Sequence, residues 1–306
     1  CDGDEFRAIH NEWVPERAGK QIESMVRRFL GGEPLQYVLG RWAFRRLDLM
    51  VDRRVLIPRP ETELMVDIVL AHLAGSSAPS TVVDLGTGSG AIGLSVLRES
   101  EVGSVIVHMT DASTDALDVA RANGAGIGRA ATGARFAHGS WFDALEASLR
   151  GTVDVVVSNP PYIATGDDEL DASVREWEPL SALLSGDDGL DDLRTIVSGA
   201  HEWLRPGGML VVEIGHTQGS EVSFGDLLAY PVGRSILYVL PLYVTGEQAD
   251  RTATTQVPRL SRVIVGFGAN ADQLAIVVAA ANPEPRIGLI DRALVAAYEA
   301  GVDPLL

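Results

Sequence analysis

From residue 81 onward, short apolar runs alternate with amphipathic stretches. The segments "TVVDLG" (81–86), "SVIVHMTD" (104–111), "VDVVVS" (153–158) and "GGMLVVEIG" (207–215) read as strands, with a shorter one around "ARFAHG". In the fourth-strand segment, 153–158, Val153, Val155, Val156 and Val157 form the kind of run that marks a strand buried on both faces. Residues 91–99, a stretch from about Thr114 and the segment "GLDDLRTIVSGAHEWL" carry the spacing of amphipathic helices. Strand–helix alternation of this kind predicts an α/β fold, a doubly wound sheet with its ligand at the carboxyl ends of the strands. "SRVIVGFG" reads as a late edge strand.

Before residue 81 the pattern differs. A helix is expected from about Pro15, with Ala18, Ile22, Met25, Val26 and Phe29 on one face and Gly31–Gly32 stopping it. Alternation at Leu47, Leu49 and Val51 predicts a strand or hairpin. Pro60 then opens a helix with Glu61 and Glu63 in its first turn, where carboxylates suit the dipole, and Leu64, Met65, Ile68 and Val69 as its buried stripe. "AGSSAPS" (74–80) is a linker by composition, and "LIDRALVAAYEAG" near the end is a further helical pattern without chemistry. The expected organisation is a helical region at 1–40, a hairpin and linking helix at 41–75, the sheet domain at 76–268 and a tail of unknown role at 269–306.

Composition narrows the partners. The chain has 306 residues, 46% hydrophobic and 22% charged, ordinary for a globular protein. "LAIVVAAA" is too short to span a bilayer, and no membrane partner is expected. The N-terminus lacks the basic-then-apolar pattern of a signal peptide and a starting Met, so a processed or truncated start is expected. Cys1 is the only cysteine, which excludes intrachain disulfides and cysteine-built metal sites and fits a reducing cytoplasm. The six histidines show no metal-ligand spacing, so no metal is expected. A net charge of −17 repels phosphate backbones, which argues against duplex nucleic acid as partner. Oligomeric state is not readable.

The first strand runs into "DLGTGSGAIG" (84–93). Gly86, Gly88 and Gly90 let the backbone turn sharply and approach a ligand closely, and Thr87 and Ser89 sit between them. Gly88, Gly90 and Gly93 also satisfy the dinucleotide spacing, so the loop alone fits a nicotinamide cofactor or S-adenosylmethionine. Asp111, at the end of the second strand, offers a carboxylate for the ribose hydroxyls of either. Asp84 favours the methyl donor, whose ammonium wants a carboxylate.

The fourth strand ends in Asn159–Pro160–Pro161–Tyr162, across the mouth of the sheet from the glycine loop. An amide nitrogen is a poor nucleophile because its lone pair is delocalised, so methylating one requires holding both N–H groups and aiming the nitrogen. The Asn159 side-chain oxygen can accept one N–H and the Pro160 carbonyl the other, while the prolines stiffen the turn. Tyr162 can pack its face on the planar target. A hydride-transfer enzyme has no use for this arrangement.

"NPPY" after "DLGTGSG" resembles the class I, Rossmann-like methyltransferases that modify planar nitrogens. "GEPLQYVLGRWAF…VLIPRPETE" and "VREWEPLSALLSGDDGL" resemble the N5-glutamine methyltransferases of peptide chain release factors, over about residues 30 to 220. That resemblance implies transfer from S-adenosylmethionine to the glutamine of a Gly-Gly-Gln loop in a release factor. It implies that Gly86 to Gly90 hold the methionine part, Asp111 the ribose and Trp141 the adenine. It further implies that Asn159 touches cofactor and substrate, and that Pro160, Pro161 and Tyr162 line the glutamine pocket. Ser140 departs from the family, which often has an acidic residue there. Two other classes compete: an N6-adenine-type nucleic-acid methyltransferase, whose loop is similar, and an inactive binding protein that kept the fold. Among weaker candidates, Arg175 and Glu178 are expected to pin the loop after Tyr162 by an ion pair, Trp177 and Trp203 to pack, and "GDDGLDD" to open a solvated helix.

Overall fold

The computed structural model describes residues 16–74, 79–166 and 172–214, and beyond them the backbone of five strands. Helix α1 (Glu16–Leu30) and the short α2 (Leu35–Leu39) lead into an antiparallel hairpin, β1 (Arg41–Phe44) and β2 (Leu47–Met50). A 3-10 turn, Pro60–Thr62, opens α3 (Glu63–Leu73). There follow β3 (Ser80–Leu85), α4 (Ala91–Glu99), β4 (Val105–Asp111), α5 (Thr114–Gly126), β5 (Ala134–His138) and β6 (Val153–Ser158). Then come α6 (Ala172–Trp177), α7 (Asp191–Trp203), β7 (Leu204–Ile214), β8 (Glu221–Phe224), β9 (Leu228–Val232), β10 (Ser235–Thr245), β11 (Arg259–Phe267) and β12 (Leu274–Ala280).

The sheet order is β5-β4-β3-β6-β7-β12-β11-β10-β8, with β9 on β10. The first five strands are mutually parallel, and β3, where the winding reverses, sits between β4 and β6. "SRVIVGFG" falls in β11, which is interior: it pairs antiparallel with both β10 and β12. An apolar run looks alike at an edge and inside a sheet, so the pattern could not separate the two, and β12 supplies the missing neighbour by pairing parallel to β7. "LIDRALVAAYEAG" lies outside the described residues.

Period-two alternation assigns the strand residues to two buried layers. Val82, Met109, Val155, Val157 and Val211 face a core shared with α3, α4, α5 and the hairpin. Val83, Leu85, Val156, Leu210 and Val212 face α7 through Leu193, Ile196 and Trp203. Each such fully buried side chain contributes on the order of 1.5–3 kcal/mol. Asp154 interrupts the valine run of β6 and is satisfied where it stands, accepting the Thr81 N–H at 2.7 Å and Arg205 Nε at 2.6 Å. On α3 the buried residues are Met65, Val66 and Val69, while Leu64 and Ile68 are only half-buried. The helix is turned so that Val66 takes the place expected of Leu64.

The face expected to be buried on α1 is open. Ile22, Val26 and Phe29 are 51%, 50% and 53% exposed, and no residue of the helix is buried. Amphipathic spacing reports that a face is apolar, not that the described residues cover it.

Candidate active site

The carboxyl ends of β3, β4 and β6 open into a cavity of about 340 Å³. Its floor is the glycine loop. Gly86 has φ +68, and a Cβ there would meet the Trp141 ring at 3.3 Å, so both the conformation and the close ring require glycine. The loop is braced from beneath by Asp84, 1% exposed, whose Oδ2 accepts Thr87 Oγ1 at 2.6 Å and the Gly93 N–H at 3.0 Å. Its Oδ1 is buried without a hydrogen-bond partner. Burial pushes the Asp84 carboxyl up to about 6, against the two hydrogen bonds that favour its charged form.

Asp111 lies where β4 ends. Its Oδ2 accepts the Gly88 N–H and its Oδ1 the Ser113 N–H, both at 2.9 Å. Burial raises its carboxyl above the ordinary range, opposed by those N–H groups and by His138. Each oxygen keeps a lone pair for a ligand hydroxyl. Trp141 holds φ +44, a sparsely populated backbone for a bulky residue. Its Nε1–H donates to Asp192 at 3.1 Å, which ties the ring to the start of α7. Asp192, read in the sequence as part of a solvated acidic run, therefore lines the cavity, while Asp188 and Asp191 pair with Arg194 as a solvated helix start does.

Across the cavity stand Asn159 and Pro161. The Asn159 Nδ2 lies 3.4 Å from Thr62 Oγ1, in the turn before α3. That turn is gripped by Glu178, which accepts Arg59 Nη2 at 2.5 Å and the Ile57 N–H at 3.0 Å. Glu178, expected to help pin the loop after Tyr162, thus crosses to residues 57–59. Trp177 packs under Arg53, whose guanidinium carbon is 3.9 Å from the ring centroid. Trp203 is buried and stacks on Phe142 at 5.8 Å, as a packing residue should. Beyond Tyr162 the chain zips to residues 183–186, with the Ile163 N–H donating to Leu183 O at 2.9 Å and Thr165 N–H to Gly186 O at 2.7 Å.

Of the residues singled out from sequence, Gly86, Thr87, Gly88, Ser89, Asp111, Trp141, Asn159 and Pro161 meet on one cavity wall or another. Asp84, Gly90, Pro160 and Tyr162 are not among the lining residues; Asp84 and Pro160 are buried behind it. Glu63 serves the hairpin, accepting the Arg45 N–H at 2.9 Å, and neither it nor Glu61 lines the cavity. Sequence reasoning missed Thr62, Arg59, Asp192 and Asn123. Asn123 accepts the Met50 N–H at 2.7 Å and donates to Met50 O at 3.0 Å and to Ser89 O at 2.9 Å, fastening the hairpin to the glycine loop. Thr62 and Arg59 lie within "IPRPETE", where Pro60, Glu61 and Glu63 carry the signature of a helix start and a single hydroxyl or guanidinium carries none.

The residues fit the methyl donor. A glycine cradle braced from behind by Asp84, a carboxylate with free lone pairs for a ribose and a flat ring are its complement. Fold and site together define a doubly wound methyltransferase that uses S-adenosylmethionine. The family model described as "Methyltransferase small domain" matches residues 62–176. The release factor glutamine methyltransferase of Neisseria gonorrhoeae is 42% identical over 211 residues, 69% of this chain and 74% of the relative. That of Xylella fastidiosa is 43% identical over 240 residues, 78% of this chain and 80% of the relative. Among solved structures, an amino pentose methyltransferase from Micromonospora echinaspora aligns at 17% identity over 79% of this chain and 81% of that one, with a TM-score of 0.34, too slight a likeness to weigh. The chain belongs to the release factor glutamine methyltransferase family.

Proposed function

We propose that this protein methylates the side-chain amide nitrogen of a glutamine in a protein, the Gly-Gly-Gln loop of a peptide chain release factor, and does so in the cytoplasm. The observation that carries the reading is that Asn159 and Pro161 share one cavity with Gly86–Ser89 and Asp111. An amide acceptor thereby stands beside the cofactor cradle, where a planar nitrogen must sit to be methylated.

When bound, S-adenosylmethionine supplies a methyl group already activated on a sulfonium. The work left to the chain is orientation. Asn159 Oδ1 accepts one N–H of the target amide, the Pro160 carbonyl accepts the other, and Tyr162 backs its plane. The nitrogen lone pair is thereby directed toward the methyl group, and the acceptors grow in strength as the N–H groups become more acidic. The amide proton leaves to solvent after transfer, so no base is assigned. Asp111 takes the ribose, the glycine loop braced by Asp84 the methionine part, and Trp141 the adenine.

A net charge of −17 supports a protein substrate over a nucleic acid. The open apolar face of α1 supports a role for the N-terminal region in gripping that substrate. The test offers purified release factor, its Gly-Gly-Ala variant, DNA and RNA side by side with labelled methyl donor. Label should enter only the Gly-Gly-Gln protein; equal labelling of Gly-Gly-Ala, or transfer to nucleic acid alone, sinks the reading.

A further inference from the structure

Thr62 is 4% exposed, yet it lines the cavity, and its hydroxyl meets the side chain of Asn159 at 3.4 Å. The two residues are far apart in the chain and brought together by a braced turn. Thr62 ends the 3-10 turn Pro60–Thr62, and the segment before it is held by Glu178 through Ile57 N–H and Arg59. Glu178 is itself buried, so this brace is anchored in the protein interior.

An asparagine side chain has two nearly isosteric ends with opposite hydrogen-bonding character. Rotation of the amide by half a turn exchanges an acceptor for a donor at the cavity. With Nδ2 toward the Thr62 oxygen, Oδ1 is the end free to accept from a ligand. In the reverse orientation an NH2 group would face the N–H groups of an incoming amide, a repulsive meeting of donors. The geometry points to Thr62 as a positioning residue for the methyl-transfer step: its hydroxyl holds the Asn159 side chain in place, with Oδ1 turned to accept the substrate N–H. This rests on the reading of Asn159 given above. Thr62 touches neither substrate nor cofactor in this role and acts through Asn159.

The variants are Thr62→Val, which keeps the shape and deletes the hydroxyl, Thr62→Ala as a second deletion, and Thr62→Ser, which restores the hydroxyl. Losing one neutral hydrogen bond that orients a reacting group lowers the single-turnover rate on a Gly-Gly-Gln protein about tenfold. Affinity for S-adenosylmethionine should stay within about twofold of the wild type, since the cradle is untouched. Thr62→Ser should recover most of the rate. In an Asn159→Ala background, Thr62→Val should have no further effect, whereas a hydroxyl needed only for packing would give additive losses. An independent readout uses the side-chain amide signal of Asn159 in protein labelled with 15N-asparagine, assigned by its absence in Asn159→Ala. That signal should move in Thr62→Val and Thr62→Ala but not in Thr62→Ser. Native rates in the hydroxyl-less variants, or additive losses with Asn159→Ala, overturn the inference. If the wild type transfers nothing to Gly-Gly-Gln, the substrate reading fails; an unmoved amide signal in Thr62→Val then overturns the Thr62 inference on its own.

Discussion

The two walls of the cavity are built by opposite strategies. The cofactor wall is local: Asp84, Thr87 and Gly93 hydrogen-bond within ten residues of one another, and Asp111 reaches Gly88 from the adjacent strand. The opposing wall is assembled from afar. Asn159 meets Thr62, and Glu178 meets Ile57 and Arg59, across 97 to 121 residues of chain. A wall made of one strand–loop–helix unit is set by residues close together in the chain. A wall assembled from distant segments can change its target without disturbing that unit.

The largest expected effect sets the two walls apart. Asn159→Ala should lower methyl transfer by about 10²–10³, the usual loss for one well-placed partner in the transition state, while calorimetry finds S-adenosylmethionine affinity little changed. Asn159→Asp keeps an acceptor and should retain more activity than Ala if acceptance alone matters. A parallel loss of cofactor affinity and rate would erase the distinction between the walls.

Next comes Asp84, which tests the brace beneath the glycine loop. Its folded carboxyl is raised from an ordinary 3.8 to about 6, so without ligand the fold binds its proton more tightly than the unfolded chain does. The stability it contributes is fully present below about pH 3.8 and is lost as pH rises through about 6. Urea unfolding of wild type and Asp84→Asn should therefore diverge with pH. The wild type loses up to about 3 kcal/mol relative to the Asn variant between pH 4 and 7. A pH-independent difference between the two proteins would show that burial leaves Asp84 unperturbed.

Asp111→Ala should weaken cofactor binding by roughly 1.5–3 kcal/mol, tenfold to a hundredfold, with the fold intact by circular dichroism. Unchanged affinity would move the ribose elsewhere. The smallest effect is expected at Glu178→Gln. The neutral amide still accepts from Ile57 but loses its charge against a partly exposed Arg59, costing about 1 kcal/mol of stability. Transfer should fall several-fold without loss of cofactor affinity. Equal damage to both would mean the distant brace also holds the cofactor wall.

This difference also sets how much was legible in the sequence. "DLGTGSG" and the following helix read correctly because a tight turn, a helix start and a buried strand are all decided within a few residues. The strand ends that carry Asp111 and Asn159 were found for the same reason. Thr62, Arg59 and Asp192 were not, since a hydroxyl, a guanidinium or a carboxylate acquires its role only from what the tertiary fold sets beside it. Glu178 is a case in point: its ion pair with Arg59 joins residues 119 apart in the chain and leaves no local pattern. The exposed stripe of α1 shows the converse, a local pattern that the described core leaves uncovered.

Asn123 carries one more implication, for the order in which the molecule assembles. Its amide joins α5 both to Met50 in the hairpin, 73 residues away, and to Ser89 in the glycine loop, 34 residues away. Closing the longer loop costs more chain entropy than closing the shorter, and neither bond exists until α5 has docked on the sheet. The seat of Met50 in the hairpin is thus built from α5 and completed by the glycine loop. We predict that the hairpin docks after the central strands and α5, so that substitutions at its contacts with Asn123 speed unfolding and leave the folding rate nearly untouched, as stopped-flow kinetics would show.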